Sequence, residues 1–365
     1  MRHRSTNATA VRTALPAGLI AALCVVPAAA PAASAASAAA GPAAPAWRDV
    51  PVPQLPASTT MTDIAAVGPR AAWAVGSQSS PSAPAMLRWD GRAWRTEALP
   101  ASVAQGGLRT VAASGPRSAW ALGAPQPDGS GTAVRWDGAA WRRVAFPAGL
   151  TGLDVSAPRG GGGAWAAAQD YGTYAAAVLH YEDGAWVRKD VPAERLALLS
   201  ISARSDHDVW LGGMDTSTDT PFIYHWDGGT WTEAQIQKPN WGAIKRIVAV
   251  APDDVWAYRT DLILGVEHTL LHWDGTSWTE IPVPESTGAY AGLTPDGHGG
   301  VWMSAASAQG SSLYLHYSGG QWTTVRGPDR GTGYVGINDI ERLPGRGTVL
   351  SIGYTSSGTL GEALR

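Results

Sequence analysis

The chain has 365 residues, 45% of them hydrophobic and 16% charged, with a formal charge of −3 and a single cysteine. That length admits one large core or two ordinary domains. Only three lysines are present (Lys189, Lys238 and Lys245) and no basic run, which argues against a nucleic-acid partner.

The first forty residues read as a separate element. Arg2, Arg4 and Arg12 precede the apolar stretch "LPAGLIAALCVV", and an alanine-rich tract with small-x-small sites follows. This is the pattern of a secretory signal peptide over 1–40, with cleavage expected between 33 and 40. A short linker, 41–45, comes next. The apolar stretch is too short to span a membrane, and no other stretch qualifies. Cys24 follows Leu23 rather than a small residue, so a lipoprotein anchor is disfavoured. The expected location is therefore secreted or extracellular. Without the signal's three arginines the chain keeps 24 basic against 30 acidic residues, a charge of −6. It then has no cysteine, which excludes disulfides and thiolate chemistry.

From residue 46 the chain repeats itself. "AWRDVPVP" (46–53) looks like the ending of a longer unit. Six later segments carry the whole of it: "LRWDGRAWRTEALP" (87–100), "VRWDGAAWRRVAFP" (134–147), "LHYEDGAWVRKDVP" (179–192), "YHWDGGTWTEAQIQ" (224–237), "LHWDGTSWTEIPVP" (270–283) and "LHYSGGQWTTVRGP" (315–328). Trp94, Trp141, Trp186, Trp231, Trp278 and Trp322 lie 44 to 47 residues apart, and a second series, Trp73, Trp120, Trp165, Trp210, Trp256 and Trp302, runs ahead of them. Each unit reads as four short strands separated by turns, without helical spacing. Four strands per 45 residues is the measure of a propeller blade. The Asp–Gly between paired aromatics predicts a type I′ hairpin turn. The last unit, from about Val335, supplies three strands and stops. The orphan 46–53 supplies its fourth, with Trp47 standing where Trp94 stands in blade 1. The predicted fold is all-β: one seven-bladed β-propeller over 46–365, with four-stranded antiparallel blades and the N-terminal strand completing the C-terminal blade.

The segments "DVWLGG" (208–213), "DDVWAYR" (253–259), "AAWAVG" (71–76) and the six tight turns resemble the repeats of secreted actinobacterial-type β-propellers. They are also loosely similar to Asp-box and WD repeats. The Asp-box spacing and the Gly-His signature of WD repeats are both missing. The resemblance implies the fold and not an activity, because propellers carry enzymes, lectins and scaffolds alike.

Four histidines, His180, His225, His272 and His316, recur before the first aromatic of the turn. Equivalent third-strand positions lie more than about 10 Å apart on neighbouring blades at ordinary strand spacing, too far for shared zinc ligands. They are expected to be structural. Seventeen of the eighteen tryptophans occupy repeat positions and belong to the core; Trp241 alone does not.

In a propeller the loops after second strands and those between blades share one face. Here they vary, whereas the other turns are short and uniform. Binding on a rigid frame usually resides in such loops. The expected ligand contacts are stacking by Trp241, Tyr171, Tyr174 and Tyr290, and hydrogen bonding by Asp170, Asp215, Asp219, Arg259 and Asp261. The reading is a non-catalytic, monomeric module that binds an extracellular glycan or protein. No cofactor is expected, although Asp170, Asp215 and Asp219 offer oxygen ligands of the type calcium uses. The alternatives are a glycoside hydrolase or lyase working through the loop carboxylates, and a structural cell-surface module. No Gly-x-Ser-x-Gly nucleophile elbow is present.

Overall fold

A computed structural model describes residues 45–160, 163–192, 195–239, 241–261, 268–284 and 290–365. The expected signal peptide and most of the linker lie outside the described residues. The strands form seven separate four-stranded sheets, all antiparallel within each sheet. Blades 1 to 6 occupy 59–96, 108–143, 150–189, 196–233, 242–282 and 290–326, and blade 7 combines 335–364 with 47–49. In each blade the first strand is innermost and the last outermost. Apart from one short 3-10 turn, Ala101–Val103, the described residues contain no helix.

The ring closes as the orphan segment implied. Trp47, Arg48 and Asp49 pair with Leu364, Ala363 and Glu362, and Ala46 and Arg365 exchange backbone hydrogen bonds. The strand ends at Asp49 rather than near residue 53. Pro51 and Pro53 lack the N–H a longer ladder needs, and the Pro51 carbonyl instead accepts from Trp94 N at the outer strand of blade 1.

Tryptophans join the blades. The second-strand tryptophan of one blade meets the outer-strand tryptophan of the next edge-on: Trp73 with Trp141, Trp120 with Trp186, Trp165 with Trp231 and Trp210 with Trp278, at centroid distances of 5.2–6.2 Å. Trp302 meets Trp47 in the same way, at 6.0 Å and 84°. Such edge-to-face pairs add about 0.5–1.5 kcal/mol to the burial of each ring. Blade 7 has Leu350 in the second-strand place, and it packs with Trp89 and Trp94 of blade 1.

The histidines are structural. His180, His225, His272 and His316 stack on the tryptophans paired with them across the sheet, at 3.8–4.4 Å. Each turns Nε2 to a carboxylate, that of Asp206, Asp208, Asp254 or Asp296. Arg88 and Arg135 hold the same positions in blades 1 and 2, with guanidinium groups over Trp136 and Trp120 at 5.1 Å.

The tight turns depart in part from expectation. Asp183–Gly184 in blade 3 and Gly319–Gly320 in blade 6 have positive φ at both residues, as a type I′ turn requires. In blades 1, 2, 4 and 5 only the glycine does. There the aspartate side chain caps the loop: Asp90 Oδ1 accepts from Arg92 N and Ala93 N, both at 2.8 Å, and Asp137, Asp227 and Asp274 repeat the pattern. A four-residue loop closed by a carboxylate therefore replaces the two-residue turn.

Candidate functional site

Two places on the ring concentrate polar chemistry: the axial channel and the face carrying the variable loops. The channel is lined by the inner strands. A bulge shifts the register just before Asp63, Thr110, Asp154, Ser200, Arg246 and Asp339. Most of these side chains then reach the next blade's backbone. Asp339 accepts from Ile64 N at 2.9 Å, Asp63 from Val111 N at 2.8 Å, Thr110 from Val155 N at 3.1 Å, Asp154 from Ile201 N at 2.8 Å and Ser200 from Ile247 N at 3.1 Å. Arg246 has no acceptor to offer; its Nε donates to Ala291 O. Its guanidinium lies 3.7 Å from Asp339 and 3.9 Å from Asp63.

Burial pushes the Asp63 carboxyl well up, and the negative Asp339 beside it adds to the rise. Burial also raises Asp154 to about 6, against the pull of Arg246. Toward the opening Glu341 is raised to about 7, again chiefly by burial, although Thr294 donates a hydrogen bond to it. The channel end has a volume of about 650 Å³. Raised acids in a cavity are one mark of catalysis. Here, however, Asp63, Asp154 and Asp339 each hold a neighbouring blade's N–H, which is a structural task. Sequence reasoning passed over this ring. Its signal was a polar residue recurring at one phase of the repeat, hidden among more conspicuous aromatics.

The loop face has a different construction. Exits from second strands are clipped by backbone hydrogen bonds to the chain entering inner strands. Tyr171 N donates to Gly149 O at 2.8 Å, Thr216 N to Arg195 O at 2.8 Å, and Gly242 N to Asp219 O at 3.0 Å. The last of these sets Asp219 beside Trp241. Gly242 also pairs with Asp261, so Trp241, Asp219 and Asp261 share one patch at the junction of blades 4 and 5. Trp241 is 55% exposed, and its indole makes no ring contact or hydrogen bond among the described residues.

A second patch belongs to blade 3. Tyr171 and Tyr174 are 71% and 72% exposed. Asp170 holds their loop by accepting from Gly172 N, Thr173 N and Thr173 Oγ1. Asp215 does the same in blade 4 for Ser217 N and Oγ. These hydrogen bonds hold both carboxyls below the ordinary aspartate range, the opposite of what a general acid needs. Tyr290 begins the inner strand of blade 6 and so enters from this same face; its side chain lies outside the described residues. No group of three or more His, Cys, Asp or Glu suited to a metal converges among the described residues.

Arg259 requires a correction. It was expected in a variable loop as a ligand contact, but it lies inside the strand Asp254–Asp261. There it is buried, and its guanidinium clasps both oxygens of Glu280 at 2.7 and 3.2 Å while donating to Gln237 O. It braces blade 5 internally. The structure adds two residues that sequence reasoning missed. Tyr334, before the inner strand of blade 7, and Tyr354, near the end of its second strand, lie 5.9 Å apart on the same face, both exposed. Blade 7 lacks the second- and third-strand aromatics of the repeat, with Leu350 and Leu364 in their places, so no comparison of units could single them out.

Backbone strain marks the same face. Among the described residues four non-glycine residues have positive φ, and three of them are Tyr174 (59°), Asp219 (55°) and Trp241 (66°). A left-handed conformation costs an ordinary residue about 1–2 kcal/mol, and such strain gathers where loops are held for a purpose.

No family model matches the chain, and no curated protein matches it in sequence. Solved structures do share its fold. A YCF48 structure with a bound D1 peptide superposes with a TM-score of 0.59 at 16% identity, over 88% of this chain and 100% of that one. YCF48 from Cyanidioschyzon merolae gives 0.60 at 19% identity, over 88% and 99%. A six-bladed fucose-recognising lectin from Aleuria aurantia gives 0.52 at 11% identity, covering 98% of the lectin but 75% of this chain. At these identities the likeness establishes the β-propeller architecture.

Proposed function

We propose that this chain is a secreted, non-catalytic binding propeller that recognises an extracellular glycan or protein surface through its variable-loop face. The observation that carries the reading is Trp241: an indole off the repeat, more than half exposed, held in a left-handed backbone between two carboxylate-bearing loops. An exposed, rigidly held aromatic beside hydrogen-bonding groups suits stacking on a sugar ring or anchoring a partner. Tyr171 and Tyr174 extend the same chemistry to blade 3. Binding is favoured over hydrolysis because Asp170 and Asp215 are committed to their own loops and sit low in pKa. The bound peptide of one fold relative and the fucose recognition of another accord with this use of a propeller.

The test is a glycan array and an extracellular-protein pull-down, comparing the wild type with Trp241→Ala. Loss of an anchor of this kind should weaken binding by at least about tenfold, a change worth ~1.4 kcal/mol. Equal binding by the two proteins removes Trp241 from the site.

A further inference from the structure

On the opposite face, where the short turns gather, blade 1 meets blade 7 in a concavity of about 510 Å³ that contains Arg70, Arg92, Arg95 and Arg346 with a single carboxylate, Asp90. Asp90 is already engaged. It accepts from Arg92 N and Ala93 N, and Arg95 Nε donates to it at 3.1 Å. Among the described residues no carboxylate lies within 4.0 Å of the guanidinium groups of Arg70, Arg92 or Arg346. Three unpaired cations thus converge on a chain with a net negative charge.

The repeat supplies an internal control. In blades 2 to 6 the position of Arg92 holds Ala139, Gly184, Gly229, Thr276 and Gly320, and that of Arg95 holds Arg142, Val187, Thr232, Thr279 and Thr323; blade 7 has Pro45 and Arg48 there. The position of Arg70, three residues before the second-strand tryptophan, holds Arg117, Gly162, His207, Asp253 and Gly299. Arginine at all three coincides only in blade 1, so the fold does not require it. The site is also partly built. A Cβ at Gly91 would lie 2.7 Å from Arg70 Cγ, so the missing side chain lets the Arg70 stem lie against the turn. Blade 2 seats Arg117 over Gly138 in the same way, but there Ala139 replaces the second unpaired arginine.

We propose that this pocket is an oxyanion-binding site that takes a tetrahedral, doubly charged group, sulfate or phosphate, through the forked donors of Arg70, Arg92 and Arg346. Guanidinium forks match such oxygens bidentately, where an ammonium would act only as a point charge. The site is separate from the loop face, and its failure would leave the binding role proposed there untouched.

The experiment titrates the purified chain, at constant ionic strength, with inorganic sulfate, inorganic phosphate and dextran sulfate, with uncharged dextran as control, read by calorimetry. Arg92→Ala, Arg346→Ala, Arg92→Lys and the blade 2 control Arg142→Ala are compared, each checked for wild-type melting. Saturable binding is expected, weakened at least fivefold by Arg92→Ala or Arg346→Ala, weakened about threefold by Arg92→Lys, and unchanged by Arg142→Ala. Equal affinity for inorganic ions and polymer, per anionic group, identifies a free oxyanion as the occupant. Tighter binding of dextran sulfate identifies an esterified one. Absence of saturable binding by every charged probe, or an equal loss in Arg142→Ala, overturns the proposal.

Discussion

At the scale of single residues, the same side-chain type does opposite things according to where the ring places it. Asp154 is buried between inner strands and raised to about 6, whereas Asp137 and Asp274 sit in solvent at turns that lower them to about 2. An unfolded aspartate titrates near ~3.9. The folded state therefore holds the Asp154 proton more firmly, so that group favours folding fully below about pH 4, and the contribution is lost as pH rises through about 6. The swing is on the order of 3 kcal/mol. Asp154→Asn should flatten the fall in melting temperature between pH 4 and 6.5, whatever its effect on absolute stability. An unaltered slope would mean that another group titrates there. The turn aspartates work in the reverse sense, losing their contribution as pH falls from about 4 toward 2, outside that window. Trp241 permits a second separation. Trp241→Gly removes the ring and also the left-handed strain, while glycine adds unfolded-state entropy worth about 0.5–1 kcal/mol. The two effects nearly cancel, so calorimetry should find melting within about 2 °C of wild type while ligand binding is lost. A large destabilisation would instead make Trp241 a structural plug over blade 4.

At the scale of elements, the six turns look alike in sequence and are built in two ways. Asp183 occupies a left-handed position with φ 49°, so Asp183→Gly should be neutral or stabilise by up to ~1 kcal/mol. Asp90 has no such φ and caps two N–H groups, so Asp90→Gly should destabilise. Denaturant titration of the two variants distinguishes the geometries, and equal effects would contradict them. The sequence showed strands, blade count and paired aromatics because these recur at a fixed period. It could not show which turn residue takes positive φ, since Asp–Gly satisfies both a type I′ turn and a carboxylate-capped loop. It did not place Arg259 either. Counting along "DDVWAYRTDLILG" leaves open where the strand ends, and the decisive fact is the distant partner Glu280, reached only once the outer strand folds back.

At the scale of the molecule, the face assignment follows from topology alone. Once strands run from the axis outward in seven blades, loops leaving second strands and loops entering inner strands must share a side. The candidates Trp241, Tyr171, Tyr174, Asp170, Asp215, Asp219 and Asp261 do so. Their division into a blade 3 patch and a blade 4–5 patch was not legible, because distances around the ring depend on loop paths that have no periodicity. The channel ring was legible only in retrospect, as Asp, Thr, Ser or Arg at one repeat phase. All of these placements rest on the Trp47–Asp49 strand and the C-terminal strands sharing one sheet, which aligns blade 7 with the rest and seats Trp47 between Trp302 and Tyr314. The most direct measurement is therefore the melting temperature of a chain lacking residues 45–53 beside that of the chain retaining them. Loss of one buried tryptophan costs about 3–5 kcal/mol, and at roughly 2–4 °C per kcal/mol for a domain of this size the truncated chain should melt on the order of 10 °C lower. Coincident melting curves would contradict the closed ring.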